Sequence, residues 1–427
     1  MRLGIIQMSD LHISSADDYV IQNVVAIARS CKSIVNTCKK VVLVVSGDIV
    51  DKGMVANYAI AEQFFKSFKS ELQKEAILES YDYVFVPGNH DLDFSVDNQV
   101  RPVIIEKIQK RDMVEEEAFI QICLNPQQAF WNFVSKMSDS PIMPCVSYSK
   151  QIKLNENCNL IFHCYNTALL STIDEQPQSL IVPENFFLHN GAVDDNKKDV
   201  VISVFHHKTG WISTRTANNN QRSFEDHISQ TSNVMMCGHE HQSGVKVISN
   251  LENVDKILYL ESNSMQQGRE QSFIISVLED KSQELTLSPY EIIIEPDDTF
   301  SQIDMGVHSV IFKKHSLSFT DSHNTFLSRL DAPIKHPVKK DLTLDDVFVY
   351  PDLEPMSSLD NRRMYTYLDA GNLLKYCSQG QVIFIEGDAQ SGKTSLLKML
   401  IRQCYQKGVY PLFIKGQDVK VVNLSGI

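Results

Sequence analysis

Side chains that can bind metal ions occur in five short clusters between residues 10 and 241. The clusters are Asp10-Leu11-His12, Gly47-Asp48, Gly88-Asn89-His90-Asp91, His206-His207 and Gly238-His239-Glu240-His241. Carboxylate, amide and imidazole groups together favour Mn, Fe or Zn over the all-oxygen sites that suit Mg and Ca. No cysteine belongs to the clusters, which argues against a structural zinc site. The residue types therefore predict a catalytic metal site.

The spacing within the clusters supports chelation. Residues i and i+2 of an extended chain point to the same side, so Asp10 and His12 can converge on one ion, as can His239 and His241. Taken singly, Gly47-Asp48 is typical of a turn, and a Gly-Asn-His-Asp segment is also typical of an Asx-turn. The occurrence of all five clusters, each after an apolar run, favours a joint site.

The elements that must position these clusters are strands and helices in alternation. Strands are predicted at 3–7, 41–45, 83–86, 159–164, 200–205, 233–237, 256–261 and 272–278, and helices at 19–38 and 56–74. Ligands of open α/β sheets bind at the carboxyl ends of the strands. Because each cluster follows a predicted strand, the clusters are expected to meet at one edge of an α/β fold.

The length of 427 residues predicts more than one domain. Residues 1–290 are expected to form the first domain, with a helical cap inserted at about 95–150. Residues 291–360 are polar and contain several prolines, so they are predicted to be a connector. A second α/β unit is expected at 361–427.

The ordered set of clusters resembles the calcineurin-like metallophosphoesterases over roughly residues 1–280. The residues that carry the resemblance are Asp10-x-His12, Gly47-Asp48-x-x-Asp51, Gly88-Asn89-His90-Asp91, a histidine after a strand and Gly238-His239-x-His241. The resemblance implies an α/β fold, specifically a four-layer α/β/β/α sandwich, that holds two divalent metal ions (Mn, Fe or Zn). It also implies that Asp10, His12 and His241 hold one ion and that Asn89, His206 and His239 hold the other. Asp48 would bridge them.

One ligand position stays open between two neighbours. His206 is preferred because it comes first after the predicted strand, and His207 remains the alternative. Two ions about 4 Å apart would activate a bridging hydroxide for attack on phosphorus. By the same resemblance, His90 would act as general acid or electrostatic stabiliser, and Asp91 would orient the His90 ring through a hydrogen bond.

A phosphate-binding motif occurs near the end of the chain. Residues 387–394 match G-x-x-x-x-G-K-[ST], with a predicted strand at 382–385 before it and a predicted helix from about Thr394. Lys393 would reach the β and γ phosphates of ATP or GTP, and Thr394 would coordinate Mg. The predicted nucleotide-binding residues are Gly387, Ser391, Gly392, Lys393, Thr394 and Ser395.

Only 34 residues follow Lys393, so a partial P-loop α/β unit is expected. The order of hydrolase, connector and P-loop resembles bacterial STAND-type NTPases over about residues 340–427. These proteins are signal-sensing switches in immunity against phage. The resemblance implies an antiphage defence effector and a homo-oligomer assembled through the NTPase module.

Composition narrows the location and the partners. The formal net charge of −13 disfavours coating of nucleic acid, because the overall field repels polyanions unless basic groups cluster. The nine cysteines are an odd number without a C-x-x-C motif, which favours a reducing compartment. No apolar run is long enough for a secretory signal or a membrane span. A soluble cytoplasmic protein without a membrane partner is therefore predicted.

Three functions follow from these features. The first is a two-metal phosphodiesterase acting on nucleotides or nucleic acid, including a nuclease, and regulated by the P-loop module. The second is an NTP-dependent signalling or assembly switch whose phosphoesterase domain is a scaffold, although the complete ligand set counts against it. The third is a protein phosphatase, for which no residue discriminates.

Overall fold

The computed structural model divides the chain into two compact units. The first comprises Met1–Asn190 and Asp194–Lys314, and the second comprises Gly191–Val193 and His315–Ile427. The residues that the structure describes are 1–96, 100–110, 117–138, 141–188, 198–216, 219–249, 256–266, 270–281, 284–310, 321–330, 342–354, 367–374, 383–406, 411, 413 and 414.

Two sheets form the centre of the first unit. Its strands are β1 (Arg2–Met8), β2 (Lys40–Ser46), β3 (Ser80–Val86), β4 (Ser147–Asn155), β5 (Cys158–Tyr165), β6 (Lys198–Val204), β7 (Val234–Cys237), β8 (Gly244–Ser249), β9 (Lys256–Glu261), β10 (Gln271–Lys281), β11 (Glu284–Ile294), β12 (Phe300–Asp304) and β13 (His308–Val310). One sheet has the order β12-β11-β10-β1-β2-β3, with β13 paired to β11, and the other has the order β4-β5-β6-β7-β9-β8. All eight predicted strands are confirmed, although Phe205 lies just after β6 and Asn233 just before β7.

The strands that carry the metal-binding clusters are parallel. β1 pairs with β2, and β2 with β3, in parallel register, and the same holds for β6 and β7 in the second sheet. Parallel strands place their carboxyl ends at the same edge of a sheet. The residues that follow β1, β2 and β3 therefore emerge side by side.

The first unit has eight α-helices among the described residues, and the longest of them packs on the first sheet. The helices are α1 (Tyr19–Gln22), α2 (Val24–Ser30), α3 (Lys32–Val35), α4 (Val55–Glu75), α5 (Val100–Lys110), α6 (Glu117–Leu124), α7 (Gln128–Met137) and α8 (Asn220–Thr231). The helix predicted at 56–74 is confirmed as α4. Among the described residues, none of the helices combines the length and apolar composition that crossing a bilayer requires.

The side chains of β2 point alternately to its two faces and pack in two different hydrophobic cores. Val41, Leu43 and Val45 face the helices, in a cluster that includes Phe64 and Phe68 of α4. The intervening residues Val42 and Val44 face the second sheet, where they meet side chains of β5 and β6. On the far side of the second sheet, α8 packs over β7. This two-residue period explains why the strand is a continuous apolar run, since both of its faces are buried.

The helix predicted at 19–38 is wrong as a single element, because three short helices occupy the segment. Asn23 leaves helical geometry, with φ −92° and ψ 10°, and its side-chain amide donates to Oε1 of Gln271. Between α2 and α3, the amide of Cys31 donates a hydrogen bond to the carbonyl of Ala28, three residues earlier. Side-chain and 3₁₀-type hydrogen bonds thus replace the regular helical pattern.

The segment predicted as an inserted cap at 95–150 does not pack as one piece. α5 and α6 share a small core with Leu169, Leu170 and Ile181. α7 instead places Phe130 and Phe133 in the main core beside α4. The structure also extends the first unit to Lys314, which corrects the expected boundary near residue 290, because β11, β12 and β13 continue the first sheet.

The described part of the second unit contains a few small elements. They are α9 (Asp321–Ser328), α10 (Leu344–Val347), β14 (Asp352–Leu353), β15 (Leu368–Asp369) and α11 (Lys393–Gln406). Ala370 and Leu373 pack with Leu396 and Leu400 of α11 in a small apolar cluster. This cluster is the core of the described residues in this unit.

Candidate metal centre

The metal-binding clusters meet where the carboxyl ends of both sheets come together. Nδ1 of His206, which follows β6, lies 2.7 Å from the carbonyl oxygen of Ser46 at the end of β2. The amide of His239, which follows β7, donates to Oδ2 of Asp10 after β1 over 3.1 Å. The loops of the two sheets are therefore hydrogen-bonded to each other directly at the centre.

Asp10, His12 and His241 form the first group of ligand atoms. Oδ1 of Asp10 lies 3.3 Å from Nε2 of His241 and 3.9 Å from Nε2 of His12. The ligand atoms of all three residues lie within 4.8 Å of one another. The structure thus brings together the three residues that were predicted to share one ion.

The second group of ligand atoms centres on His206, which has Asp48 and His239 as neighbours. Nε2 of His206 lies 3.2 Å from Oδ2 of Asp48 and 3.2 Å from Nδ1 of His239. Atoms that bind one ion at about 2.1 Å are separated from each other by roughly 3 to 3.5 Å. Each of these two separations fits a pair of ligands on a single cation.

Asp48 lies between the two groups. Besides its contact with His206, its Oδ2 atom is 4.0 Å from Nε2 of His12. Its other oxygen, Oδ1, accepts a hydrogen bond from the amide of His90 over 2.9 Å. Asp48 therefore faces ligands of both groups, as a bridging carboxylate must.

Two predicted ligand atoms are buried without a hydrogen bond. Oδ1 of Asp10 and Oδ1 of Asn89 have no hydrogen-bonding partner among the described residues. A buried acceptor that lacks a partner is costly, whereas a cation at this position satisfies it. Both atoms therefore fit the ligand role that the sequence predicts for them.

The hydrogen bond to Ser46 fixes the state of the His206 ring. A carbonyl oxygen can only accept, so Nδ1 carries the hydrogen, and Nε2 points at the Asp48 carboxylate. Two acceptors at 3.2 Å repel each other unless a cation lies between them. A proton or a metal ion satisfies this geometry, and a hydrogen bond from Nδ1 to a backbone carbonyl is typical of metal-binding histidines.

The ionisation of the ligands follows from their surroundings. Burial disfavours the charged form of His206, but Asp48 outweighs it and raises the pKa of His206 to about 10. Burial also opposes ionisation of Asp48, while His206 and His12 hold its pKa well below the usual range. Burial and the rings of His206 and His207 lower the pKa of His239 to about 2. Burial lowers the pKa of His12 as well, so both rings are neutral and can donate a lone pair to a metal.

The backbone at the ligands is left-handed. Among the described residues, nine non-glycine residues have a positive φ, and five of them are predicted ligands, namely Asp10 (56°), His12 (45°), Asp48 (53°), His239 (78°) and His241 (52°). This conformation costs of order 1 to 3 kcal/mol per residue and persists where the surroundings enforce it. The prediction that extended backbone makes His239 and His241 converge on one ion is wrong, because their left-handed turns direct His239 to His206 and His241 to Asp10.

Glycines before the ligands leave room for them. A Cβ atom at Gly88 would overlap Oδ1 of Asp48, and one at Gly47 would overlap the ring of His206. Gly47 also has a φ of 98°, which other residues rarely adopt. The glycines of both motifs are thus required by close approach to a ligand.

His207 has a different environment from His206. Its Nδ1 atom lies 2.9 Å from Oγ1 of Thr167, and its Nε2 atom lies 3.0 Å from Oε2 of Glu175. Both ring nitrogens are therefore engaged by protein groups, although the ring is close enough to those of His206 and His239 to be grouped with them. The geometry favours His206 as the ligand. The contacts of His207 with Thr167 and Glu175 leave no signal in the sequence, because both partners are distant from it in the chain.

His90 lies at the edge of the centre. Its ring is 4.5 Å from that of His12, and its Nδ1 atom lies 3.1 Å from the carbonyl oxygen of Asp51. Since this carbonyl can only accept, Nδ1 is the donor and Nε2 is left for other partners. About 42% of the side chain is exposed, so a substrate can reach it.

Asp91 does not orient the His90 ring, which corrects the predicted role. Its buried carboxylate accepts hydrogen bonds from the amides of Ile49, Val50 and Gly88 and from the hydroxyl of Tyr58. The carbonyl of Asp51 contacts His90 instead. Asp91 therefore holds the Asp48 loop against the Gly88 turn. It is a positioning residue for Asp48 and Asn89.

Trp211 and Lys208 support the His239 loop. The ring of Trp211 packs edge-on against His239 with 4.4 Å between centroids. Its Nε1 atom donates to Glu240, which also forms an ion pair of 2.6 Å with Lys208. No sequence signal links these residues, because the pairing depends on the close approach of the loops after β6 and β7.

The predicted phosphate loop lies in the second unit. Helix α11 begins at Lys393, as expected, and Gly392 has a φ of 88°. Nζ of Lys393 donates to the carbonyls of Gly387 and Asp388, each over 2.6 Å.

The strand expected at 382–385 is wrong for residues 383–385, which have no regular structure, and Val382 lies outside the described residues. A strand requires a paired neighbour, and the described part of this unit pairs only β14 with β15.

Comparison with known families gives one match. The model of the family described as calcineurin-like phosphoesterase matches residues 3–243, which is more than half of the chain and includes every predicted metal ligand. None of the curated proteins matches the chain.

Solved structures that match this chain share little sequence with it. NAD nucleotidase from Haemophilus influenzae has 10% identity and a TM-score of 0.33, covering 73% of this chain and 50% of its own. Vps29 from Chaetomium thermophilum has 10% identity and a TM-score of 0.27, covering 72% and 95%. Sulfate thiohydrolase SoxB from Thermus thermophilus has 7% identity and a TM-score of 0.34, covering 71% and 56%. The chain thus spans about half the length of the nucleotidase.

Proposed function

Because this chain belongs to the calcineurin-like phosphoesterase family and is a hydrolase, we propose that it uses two divalent metal ions to cleave phosphodiester bonds in nucleotides or nucleic acid. The observation that carries the proposal is the convergence of Asp10, Asp48 and His206 from both sheets on one centre. The orphaned oxygens of Asp10 and Asn89 support it, since a cation satisfies both.

The ligands divide into two sets around Asp48. We assign Asp10, His12 and His241 to one ion and Asn89, His206 and His239 to the other. Asp48 is shared, because it faces His12 and His206 together. Within the superfamily this arrangement corresponds to a four-layer α/β/β/α sandwich, and the packing of helices outside two facing sheets supports it.

The protein's own groups bind and protonate the substrate. When bound, the ions lower the pKa of a nucleophilic water and neutralise charge on the phosphoryl oxygens. His90 donates a proton, or a hydrogen bond, from Nε2 to the leaving oxygen, because Nδ1 is held by the carbonyl of Asp51. Asp91 keeps Asp48 and Asn89 in place, because its carboxylate accepts hydrogen bonds from the backbone amides of their neighbours Ile49 and Gly88.

Metal analysis and a substrate panel test this function. The purified protein is analysed for bound metals and then assayed with Mn on bis-p-nitrophenyl phosphate, p-nitrophenyl phosphate, cyclic nucleotides, ATP, single-stranded DNA and duplex DNA. We expect two ions per chain and cleavage of diesters in preference to monoesters. Two bound ions without turnover of any substrate would refute the enzymatic proposal, and preference for monoesters would refute the diester assignment.

We further propose that residues 387–395 bind the phosphates of ATP or GTP and regulate the hydrolase. The motif and the start of α11 at Lys393 support this, since helix N-termini favour phosphate. Lys393→Ala should abolish binding of a fluorescent ATP analogue, whereas Thr394→Ser, which keeps the hydroxyl, should retain it. Equal binding by both variants would contradict the assignment.

A further inference from the structure

A cavity of about 380 Å³ opens beside His90. This volume is within the range of small-molecule sites. Asn89 and His90 line one side of it, so the cavity is continuous with the metal centre. The other walls are largely apolar and include Leu92, Phe94 and Ile173.

One buried cation, Arg101, holds two walls of the cavity. Its guanidinium lies 5.9 Å from the centre of the Phe94 ring. The same group donates to the carbonyls of Leu169 and Ser171, immediately before the loop that carries Ile173. Arg101 is 1% exposed, so these contacts are shielded from water. The Phe94 ring and the Ile173 loop are thus fixed relative to each other.

Ile173 presents an apolar surface without cover. Its side chain is 77% exposed in this structure, although it lines a cavity next to a catalytic centre. An aromatic ring and an exposed aliphatic side chain around one cavity favour a flat, apolar ligand. A nucleobase has this shape, and its stacking on an aromatic ring requires no specific hydrogen bond.

The charges in the cavity disfavour a second phosphate. Asp51 and Asp93 both line it, and the cation among the described lining residues, Lys52, lies 4.0 Å from the Asp51 carboxylate. The formal charge of these three side chains is therefore negative. A leaving group that carries its own phosphate would be repelled here, whereas an uncharged one would not.

We infer that this cavity binds the leaving alcohol of the substrate, and that this alcohol is an uncharged nucleoside whose base packs on Phe94. The inference rests on the proposed function, because that function places the phosphoryl group at the metal ions and the leaving oxygen at His90. It narrows the substrates to small nucleotide diesters rather than polynucleotide strands.

The bond changes are those of hydrolysis. The oxygen of water forms a new bond to phosphorus, and the bond between phosphorus and the nucleoside oxygen breaks. The electron pair of the broken bond stays on the nucleoside oxygen, which takes up a proton at His90. The proton lost by water passes to solvent, so the products are a nucleoside and a phosphate ester.

Adenosine provides a probe that is independent of turnover. Its binding is measured by calorimetry, and its inhibition of bis-p-nitrophenyl phosphate hydrolysis is measured beside inhibition by inorganic phosphate, which reports on the metal centre. We expect adenosine to bind and to inhibit competitively. Phe94→Ala should weaken adenosine about tenfold, the scale of base stacking on an aromatic ring, and leave metal content and phosphate inhibition unchanged.

Matched variants control for general effects. Phe300→Ala removes another partly exposed phenylalanine, on β12, away from the cavity, and should leave adenosine binding unchanged. Should Phe94→Ala fold poorly, Ile173→Ala is compared with Ile77→Ala, whose side chain is 97% exposed and does not line the cavity. Weaker adenosine binding in Ile173→Ala alone would support the inference.

The possible failures are distinguishable. Hydrolysis without Phe94-dependent adenosine binding would overturn this inference and leave the proposed function intact. Adenosine binding that depends on Phe94 in a protein without hydrolysis would overturn the proposed function and retain the nucleoside site. If single-stranded oligothymidylate competes as strongly as adenosine and also loses affinity in Phe94→Ala, the restriction to uncharged leaving groups is refuted.

Discussion

Nε2 of His206 lies 3.2 Å from Oδ2 of Asp48, although one residue follows β6 in the second sheet and the other follows β2 in the first. The ring is held in this direction by the carbonyl of Ser46. The contact unites the two sheets at the centre, and it joins two groups that attract the same cation. Substitutions at either residue should therefore affect metal binding before they affect the chemistry.

Asp48→Ala should remove most of the metal from the protein. Asp48 faces both ligand groups, so its loss weakens both ions together, unlike the loss of a ligand from one group. The measurement is metal content per chain by mass spectrometry after gel filtration. Retention of two ions in this variant would show that Asp48 is not the bridge.

His90→Asn should keep the metal ions and lose turnover by about a hundredfold, the scale of general acid catalysis. His90 belongs to neither of the two assigned ligand groups, so its loss should leave the ions bound. Its exposed ring is placed to protonate the leaving oxygen of the substrate. Its control is His308→Asn on β13, which contacts the carbonyl of Met305. Wild-type turnover in His90→Asn, or loss of metal, would refute the role.

Gly88→Ala should lose metal although it adds only a methyl group. The new Cβ atom would overlap Oδ1 of Asp48 and displace the carboxylate. Gly244→Ala is the matched control, because a Cβ atom there meets no atom within 4 Å. Both variants are compared by metal content and thermal unfolding. Equal metal content in the two would contradict the close approach.

His206→Ala and His207→Ala should differ in kind. His206→Ala is expected to lose about one ion per chain, because it removes a ligand. His207→Ala should keep both ions but lower the free energy of unfolding by about 3 kcal/mol, because it leaves the buried carboxylate of Glu175 without its partner. Metal analysis and chemical denaturation measure the two effects. Loss of an ion only in His207→Ala would show that His207, and not His206, is the metal ligand.

The sequence predicted the strands and the ligand clusters because both depend on local patterns. Val41 to Val45 is an apolar run, and Asp48 follows it at a strand end, where sites form. The family model supports the same part of the chain. Fold and centre could thus be predicted together.

Features that depend on the main chain or on distant contacts could not be predicted. The carbonyl of Asp51, rather than Asp91, holds the His90 ring, and every residue carries a carbonyl. The left-handed backbone of His239 and His241 separates two side chains that extended geometry would bring together. The break at Asn23 depends on a partner, Gln271, that only the folded chain brings near.

The acceptor that fixes the His206 ring is the peptide oxygen of residue 46. Any amino acid at that position supplies the same oxygen, but Ser46 is fully buried and its hydroxyl donates to the carbonyl of Met8. A saturation mutagenesis survey scored by activity would consequently accept small residues at position 46 and reject large ones, which would displace β2. The direction of the His206 ring therefore depends on the backbone path of β2, and a displacement of that strand would change it.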